Sequence, residues 1–265
     1  MFIALSKISG SLEDITRYTK KYGEGSKELT VASGDCIYLG TRVKFNHAFI
    51  KLDTVSATPI DLSVKLWSGS TFSDAARLTD ETDGLINSGI IEFSPSSKQS
   101  WDNQDSEQIA EIESIKYYNL YWMKLEFASA GTFTIDYIGH KFSNDFDLFI
   151  EWPQLNNANF LAYFNQPDYE AQSIKAADLI EKDLIKQGVA ESNLQILEWS
   201  DLTLASTSKV AEIVYGSFGN EYVDNVAALR KEYSARISSA YPIVDNNNTG
   251  IKETNKSITQ GTLYR

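Results

Sequence analysis

The chain has 265 residues, 42% hydrophobic and 12% aromatic, enough for one large core or two modest ones and too apolar for a disordered chain. Its net charge of −12 argues against a surface that grips nucleic-acid phosphates, which takes cations. One cysteine, Cys36, and two histidines, His47 and His140, rule out a disulfide framework and disfavour a closed zinc site, which wants about four N/S ligands.

No run of 18 apolar residues occurs, so no helical membrane span and no membrane partner are expected. The start, MFIALSKISG, lacks the basic leader and long apolar stretch of a secretory signal, which fits cytosolic synthesis. The next stretch, SLEDITRYTKKYGEG (11–25), reads as one or two helical turns. From residue 48 the pattern is β. AFIKLDT (48–54), IDLSVKLWSG (60–69), SGIIEFS (88–94), LYWMKLEF (120–127) and GTFTIDYIG (131–139) are short and rich in β-branched and aromatic residues. Several alternate with period two, placing Leu62, Val64 and Leu66 on one face, and likewise Phe133, Ile135 and Tyr137. Turn residues separate them, as at Asp83-Gly84 and Ser129-Ala130-Gly131. The polar stretch 96–114 reads as a long loop. The sum is an antiparallel β-sandwich over residues 1–150.

From 155 the period becomes helical. A short helix is expected over Asn157–Phe164. A second, opening at Asp168, carries the stripe Ile174, Ala177, Ile180, Leu184 and stops at Gly188. A third opens at Ser200-Asp201 and ends at Gly219. The last repeats Tyr222, Val226, Leu229, Tyr233, Ile237 at helical steps. Short connections imply a small bundle over 151–242. Residues 243–265 bury little and are read as an extended C-terminal arm; the fold class is therefore α+β and multidomain. The three segments carry net charges of −7, −6 and +1, so the arm alone is not acidic. Ordering such an arm costs about 1–2 kcal/mol per residue of backbone entropy, which a partner's groove can offset. Fully extended, it would reach roughly 75 Å at about 3.3 Å per residue.

Chemistry-bearing clusters are few. Asp145, Asp147 and Glu151 sit close in sequence, but their spacing lacks the glycine and closing glutamate of a calcium loop; as an acid–base pair they would make a glycan hydrolase. A solvated seam is the commoner use of such residues. His140 follows a strand without a nearby nucleophile or second histidine in sequence, and His47 reads as a hydrogen-bonded strand residue. Trp67, Phe72 and Trp101 form a candidate sugar-stacking platform, although core packing is the usual role of such rings. Cys36 reads as a small core residue, and Lys20-Lys21 and Arg230-Lys231 as solvated pairs. Phosphate-binding glycine loops are absent. The expectation is a non-enzyme without cofactor, metal or catalytic residue.

Longer stretches carry a resemblance. CIYLGTRVKFNHAFIKL, LSVKLWSGSTF, LINSGIIEFSP, LYWMKLEF and YIGHKFSNDFDLFIEWPQLN resemble a β-domain of tailed-bacteriophage structural proteins. EAQSIKAADLIEKDLIKQGV and LTLASTSKVAEIVYGSFGNEYVDNVAALRKEYSARI, with a tail closing on LYR, resemble head-to-tail adaptor (connector, neck) proteins. The similarity covers roughly 36–265 and lies in pattern and order, not in a catalytic motif. It implies a virion protein of the neck, forming a dodecameric ring between the portal protein and the tail or nozzle proteins. Genomic DNA would pass through the channel, during packaging and ejection, without specific binding. The C-terminal arm would dock onto portal subunits through Ile243, Ile251, Ile258, Leu263, Tyr264 and Arg265. Glu181, Asp183, Glu221 and Asp224 are candidates for subunit or lumen contacts. The large N-terminal β-domain departs from a minimal adaptor. The alternative is a carbohydrate-binding β-sandwich of a phage tail or surface protein.

Overall fold

The computed structural model describes residues 2–95, 100–240 and 242–251. The chain forms two compact units: Met1–His140 with Asn247–Ile251, and a second beginning at Lys141 and running to Asn246.

The first unit is a sandwich of two antiparallel sheets. One has the order β2 (Ser11–Asp14), β1 (Ile3–Ile8), β4 (Cys36–Thr41), β11 (Leu120–Phe127), β6 (Leu62–Trp67), β7 (Phe72–Asp74), and β10 (Asn103–Gln104) also pairs with β11. The other has the order β3 (Lys27–Val31), β12 (Gly131–Gly139), β5 (His47–Thr54), β9 (Gly89–Ser94), β8 (Arg77–Asp80). Alternation builds the space between them: Val64, Leu66, Met123, Leu125 and Phe127 are buried from the first sheet, Phe133 and Ile135 from the second. Phe127 and Phe133 meet edge to face with ring centroids 5.7 Å apart.

The other face of the first sheet is also covered. β4 is buried along its whole length, consistent with a continuous apolar run rather than an alternating one. Cys36, Tyr38, Trp67, Leu120 and Trp122 pack there against Ile109 and Ile112 from the segment between β10 and β11. That polar stretch, expected as a plain loop, presents Ile109, Ile112 and Ile115 at steps of three and folds back as a cover. Gly40 lets it close: Trp122 lies across β4, and a Cβ on Gly40 would stand 2.6 Å from its ring. The cover is fastened by charge. Glu111 accepts hydrogen bonds from the Tyr38 hydroxyl at 2.5 Å and from Lys124 Nζ at 2.8 Å, and Lys7 Nζ donates to its carbonyl. Burial pushes the Glu111 carboxyl up, but the bonds from Lys124 and Tyr38 outweigh it and hold it below the usual range.

The second unit carries α2 (Asp145–Glu151), α3 (Ala158–Phe164), α4 (Glu170–Lys186), α5 (Thr203–Gly216) and α6 (Val223–Ser239). A two-stranded antiparallel sheet joins β13 (Ile196–Glu198) to β14 (Ile243–Val244). The stripes predicted for the longer helices are the buried ones. Ile180 and Leu184 meet Leu202, Tyr233 and Ile237 in one cluster; Val210, Val214 and Leu229 form another with Leu148 and Tyr169.

Three features differ from the sequence reading. The first unit ends at His140, not at 150, because Asn144 and Asp147 make a reciprocal capping box that starts α2, and Leu148 then packs into the helical core. Residues 11–25 hold one helical turn, α1 (Thr16–Thr19), within the expected range, but it is preceded by strand β2, which the helical reading did not include. The segment taken as the start of a free arm is already engaged: Ile243–Val244 is a strand, and Asn247–Ile251 belongs with the sandwich.

The cover yields a stability prediction. Ile112 is fully buried against the outer face, so Ile112→Ala should cost about 2–4 kcal/mol in urea unfolding. A change under about 0.5 kcal/mol, the range of ordinary surface substitutions, would show that the segment is not part of the core.

Candidate functional site

The arm's root is the part of the predicted docking element that the structure describes. After α6 the backbone pairs with β13, and Asp245 N–H donates to the Gln195 carbonyl at 2.8 Å. Asn248 then fastens the chain to the sandwich. Its Oδ1 accepts from Lys44 N–H at 2.6 Å, and its Nδ2 donates to the Tyr121 hydroxyl at 2.8 Å. Asn248 takes a left-handed φ of 51°, which asparagine tolerates well. Gly250 follows at φ 70°, and a Cβ there would stand 3.1 Å from the Trp101 ring. Any other residue at 250 meets both backbone strain and the indole. Trp101 is itself fixed, its Nε1–H donating to the Trp122 carbonyl.

Of the predicted arm residues, Ile243 is half-buried in β14 and Ile251 is half-buried at the end of the described chain. Ile258, Leu263, Tyr264 and Arg265 lie outside the described residues. Two of the four proposed contact carboxylates have internal work. Glu181 Oε1 accepts from Asn193 N–H at 3.0 Å, and Asp183 Oδ2 accepts from the Tyr233 hydroxyl at 2.6 Å. Glu221 and Asp224 are exposed at the entry to α6.

The acidic seam does not converge. Asp145 accepts from Tyr169 N–H, and burial raises its carboxyl above the ordinary range. Asp147 completes the α2 capping box, and Glu151 pairs with Arg236 at 2.7 Å. Each carboxylate thus serves a separate structural contact. Among the described residues, no group of three or more His, Cys, Asp and Glu side chains could hold a metal ion.

The stacking platform dissolves on inspection of burial. Trp101 is 2% and Trp67 6% exposed. Trp67 packs on Phe72 beneath the Ile109–Ile112 cover, whereas Trp101 packs on Phe45, Phe93 and Tyr121. The rings therefore fill two different parts of the unit and offer no shared open face. Cys36 is buried as expected, and burial pushes its thiol up.

The two histidines, 93 residues apart, are neighbours. β5 and β12 are paired strands, and this brings His140 Nδ1 to 3.1 Å from His47 Nε2. His47 Nδ1 lies 2.8 Å from Asn46 Oδ1. A carbonyl oxygen only accepts, so His47 carries its proton on Nδ1, and its Nε2 accepts from His140 Nδ1–H. His140 Nε2 is then a buried acceptor without a partner among the described residues. Phe2 stacks on the His140 ring with centroids 5.6 Å apart. Burial, and next the facing His47, hold the His140 pKa well below 6.5.

The sign of the linkage is definite. The folded state binds neutral His140, while the unfolded chain takes up a proton near 6.5. Stability is therefore intact above that value and falls as the pH drops below it. His140→Phe should flatten this part of the stability curve, measured by urea unfolding between pH 7 and 5 against the parent chain. Equal slopes for the two would show that His140 does not take up a proton on unfolding. A second prediction concerns the root: Asn248→Ala should expose residues 245–251 to limited proteolysis while leaving the melting of the sandwich within a few degrees. Unchanged cleavage would show that the amide does not hold the segment.

No protein-family model matches the chain, and no curated protein matches it. Among solved structures it is similar to a pectin-binding carbohydrate-binding module, at 11% identity over 52% of this chain and 87% of that one, with a TM-score of 0.25. It is also similar to a family 89 glycoside hydrolase from Clostridium perfringens, at 11% identity over 70% of this chain and 20% of that one, with a TM-score of 0.30. TM-scores of this size do not establish a common fold.

Proposed function

We propose that the chain is a structural virion protein of the head-to-tail adaptor kind, a ring subunit that joins portal to tail around the DNA channel. Its mechanism is surface complementarity, and its docking element is the C-terminal segment. The observation that carries this reading is the clamped root. Asn248 and Gly250 hold the chain on the sandwich up to Ile251, so residues 252–265 start from a fixed point. Those residues carry three cations, Lys252, Lys256 and Arg265, against Glu253, in a protein of net −12. Fully extended, at about 3.3 Å per residue, they would span roughly 46 Å, long enough to reach a neighbouring ring. Ile258, Leu263 and Tyr264 are the proposed anchors. Repeated around a ring, a weak segment gains from effective concentration.

The remaining acidic surface suits a conduit that lets DNA pass without holding it. The dispersed contacts of Asp145, Asp147 and Glu151 give no acid–base pair and so support a non-catalytic role. Glu221 and Asp224 remain the proposed subunit or lumen contacts, since both are exposed. Glu181 and Asp183 are better assigned to holding α4 against its neighbours.

The test is truncation. Deleting 252–265 should leave urea unfolding of the chain unchanged, because the clamp and both cores stay intact. It should abolish co-assembly with the portal protein, read as loss of the high-mass complex in native mass measurement. A truncated chain that still joins the portal would remove the C-terminal segment from the docking role.

A further inference from the structure

The helical unit carries two unlike faces that its own core does not use. The first is aromatic. Helix α3 reads ANFLAYF, almost wholly apolar, yet none of its residues is fully buried. Its Phe160 and Tyr163 meet Phe218 with ring centroids 5.0 and 4.3 Å apart, and Phe218 meets Tyr222 at 5.7 Å. The rings make one continuous surface that runs on to Val223, the first residue of α6. Tyr163 is 57% and Val223 59% exposed. The Tyr163 hydroxyl donates to the Ser217 carbonyl at 2.9 Å, which fixes the ring in place. A contiguous exposed apolar patch rimmed by polar residues marks an interaction site. Here the rim is acidic. Glu221 and Asp224 are exposed beside Tyr222 and Val223, and the stretches 157–166 and 217–225 contain no lysine or arginine.

The second face is the outer side of α4. Ile174, Ala177, Ile180 and Leu184 turn inward. Lys175, Lys182 and Lys186 recur at steps of seven and four on the opposite side, all exposed. They span about 16 Å at about 1.5 Å per residue. Ile185, 46% exposed, lies beside them with half-buried Leu179. Asp178 stands among them, so three ammonium groups face one carboxylate, and Glu181 at the edge of the strip is taken by Asn193 N–H. None of the three lysines makes an ion pair with a described residue.

We infer that the aromatic face of one copy takes the α4 strip of a second copy of this chain. Charge chooses the pairing. Aromatic face against aromatic face would set Glu221 and Asp224 against their own counterparts, and strip against strip would oppose lysines; like charges across an interface are costly. Face against strip pairs Glu221 and Asp224 with the lysines and covers Ile185 with aromatic surface. Because the two patches differ, the contact is head to tail and repeats from copy to copy, closing into a ring where the rotation allows. In a chain of net charge −12 the strip also supplies the local attraction that brings copies together. Naming a second copy as the occupant rests on the ring reading above; the two faces and their charges do not.

The test is self-association of the full chain without portal protein, followed by sedimentation velocity at low and high salt. The parent should form assemblies larger than a dimer that shrink as salt rises. Lys182→Glu and Asp224→Lys change exposed positions and should keep the parent melting curve. Each should weaken self-association about tenfold or more. Mixing the two variants should restore association, because the intact face of one then meets the intact strip of the other. Val223→Asp should weaken it as well. Deleting 252–265, the test of portal docking, should leave it unchanged, so the two readings fail separately. A parent that stays monomeric or stops at a dimer, full self-association in either charge variant, no recovery on mixing, or loss of self-association without 252–265 would each overturn the assignment, the last by giving the aromatic face to the C-terminal segment.

Discussion

One side-chain amide fixes the chain on the sandwich after α6. Beyond α6 the sequence has little apolar surface to bury, so its backbone can be held only by polar contacts of good geometry. Asn248 supplies two, one to the backbone at Lys44 and one to the Tyr121 hydroxyl; it takes a left-handed φ, and two residues on Gly250 sits so close to Trp101 that a Cβ would press on the indole. Everything proposed for the C-terminal segment depends on this. A segment launched from a fixed point has a defined reach and a defined direction of search. The same segment on a loose tether would lose most of its effective concentration at a partner.

The sandwich uses polarity in the same economical way. The outer face of the first sheet is apolar toward Trp67 and Trp122 and charged toward Lys7, Lys65 and Lys124. The cover segment matches this division, with isoleucines over the apolar half and Glu111 over the charged half. Lys124 sits between Glu111 at 2.8 Å and Glu126 at 3.0 Å, and Glu126 also binds Lys65 at 2.9 Å. A half-buried chain of alternating charges is worth more in register than in raw stability, because removing one member strands its neighbours. The network therefore fixes where the cover lies, and the isoleucines supply the burial.

Much of this was legible in the sequence, and the failures have physical causes. The alternating strands from 48 onward and the long helices were readable because one face of each is buried and the other is not. β1 and β4 were harder. β4 is covered on both sides, so CIYLGT shows no alternation. The isoleucine steps in 109–115 were hidden in a polar stretch, where composition outweighed spacing. α2 was missed because seven residues show too little of the helical period; its signal was the capping pair Asn144 and Asp147. The histidine pair is a long-range product of strand register, invisible to any local window. The role of Asn248 was hidden too: three asparagines in a row read as turn-forming polarity, and only one of them meets partners 127 and 204 residues away in sequence.

The burial of the tryptophans changes how the β-domain can act. An aromatic platform recognises a ligand through an exposed ring face, and Trp67 and Trp101 have given theirs to the core. The Lys27–Glu13 bridge does two jobs at once: it shields an open sheet edge from a further strand, and it ties β3 of one sheet to β2 of the other. An edge guarded only by lysines would repel a strand without tying the two sheets together.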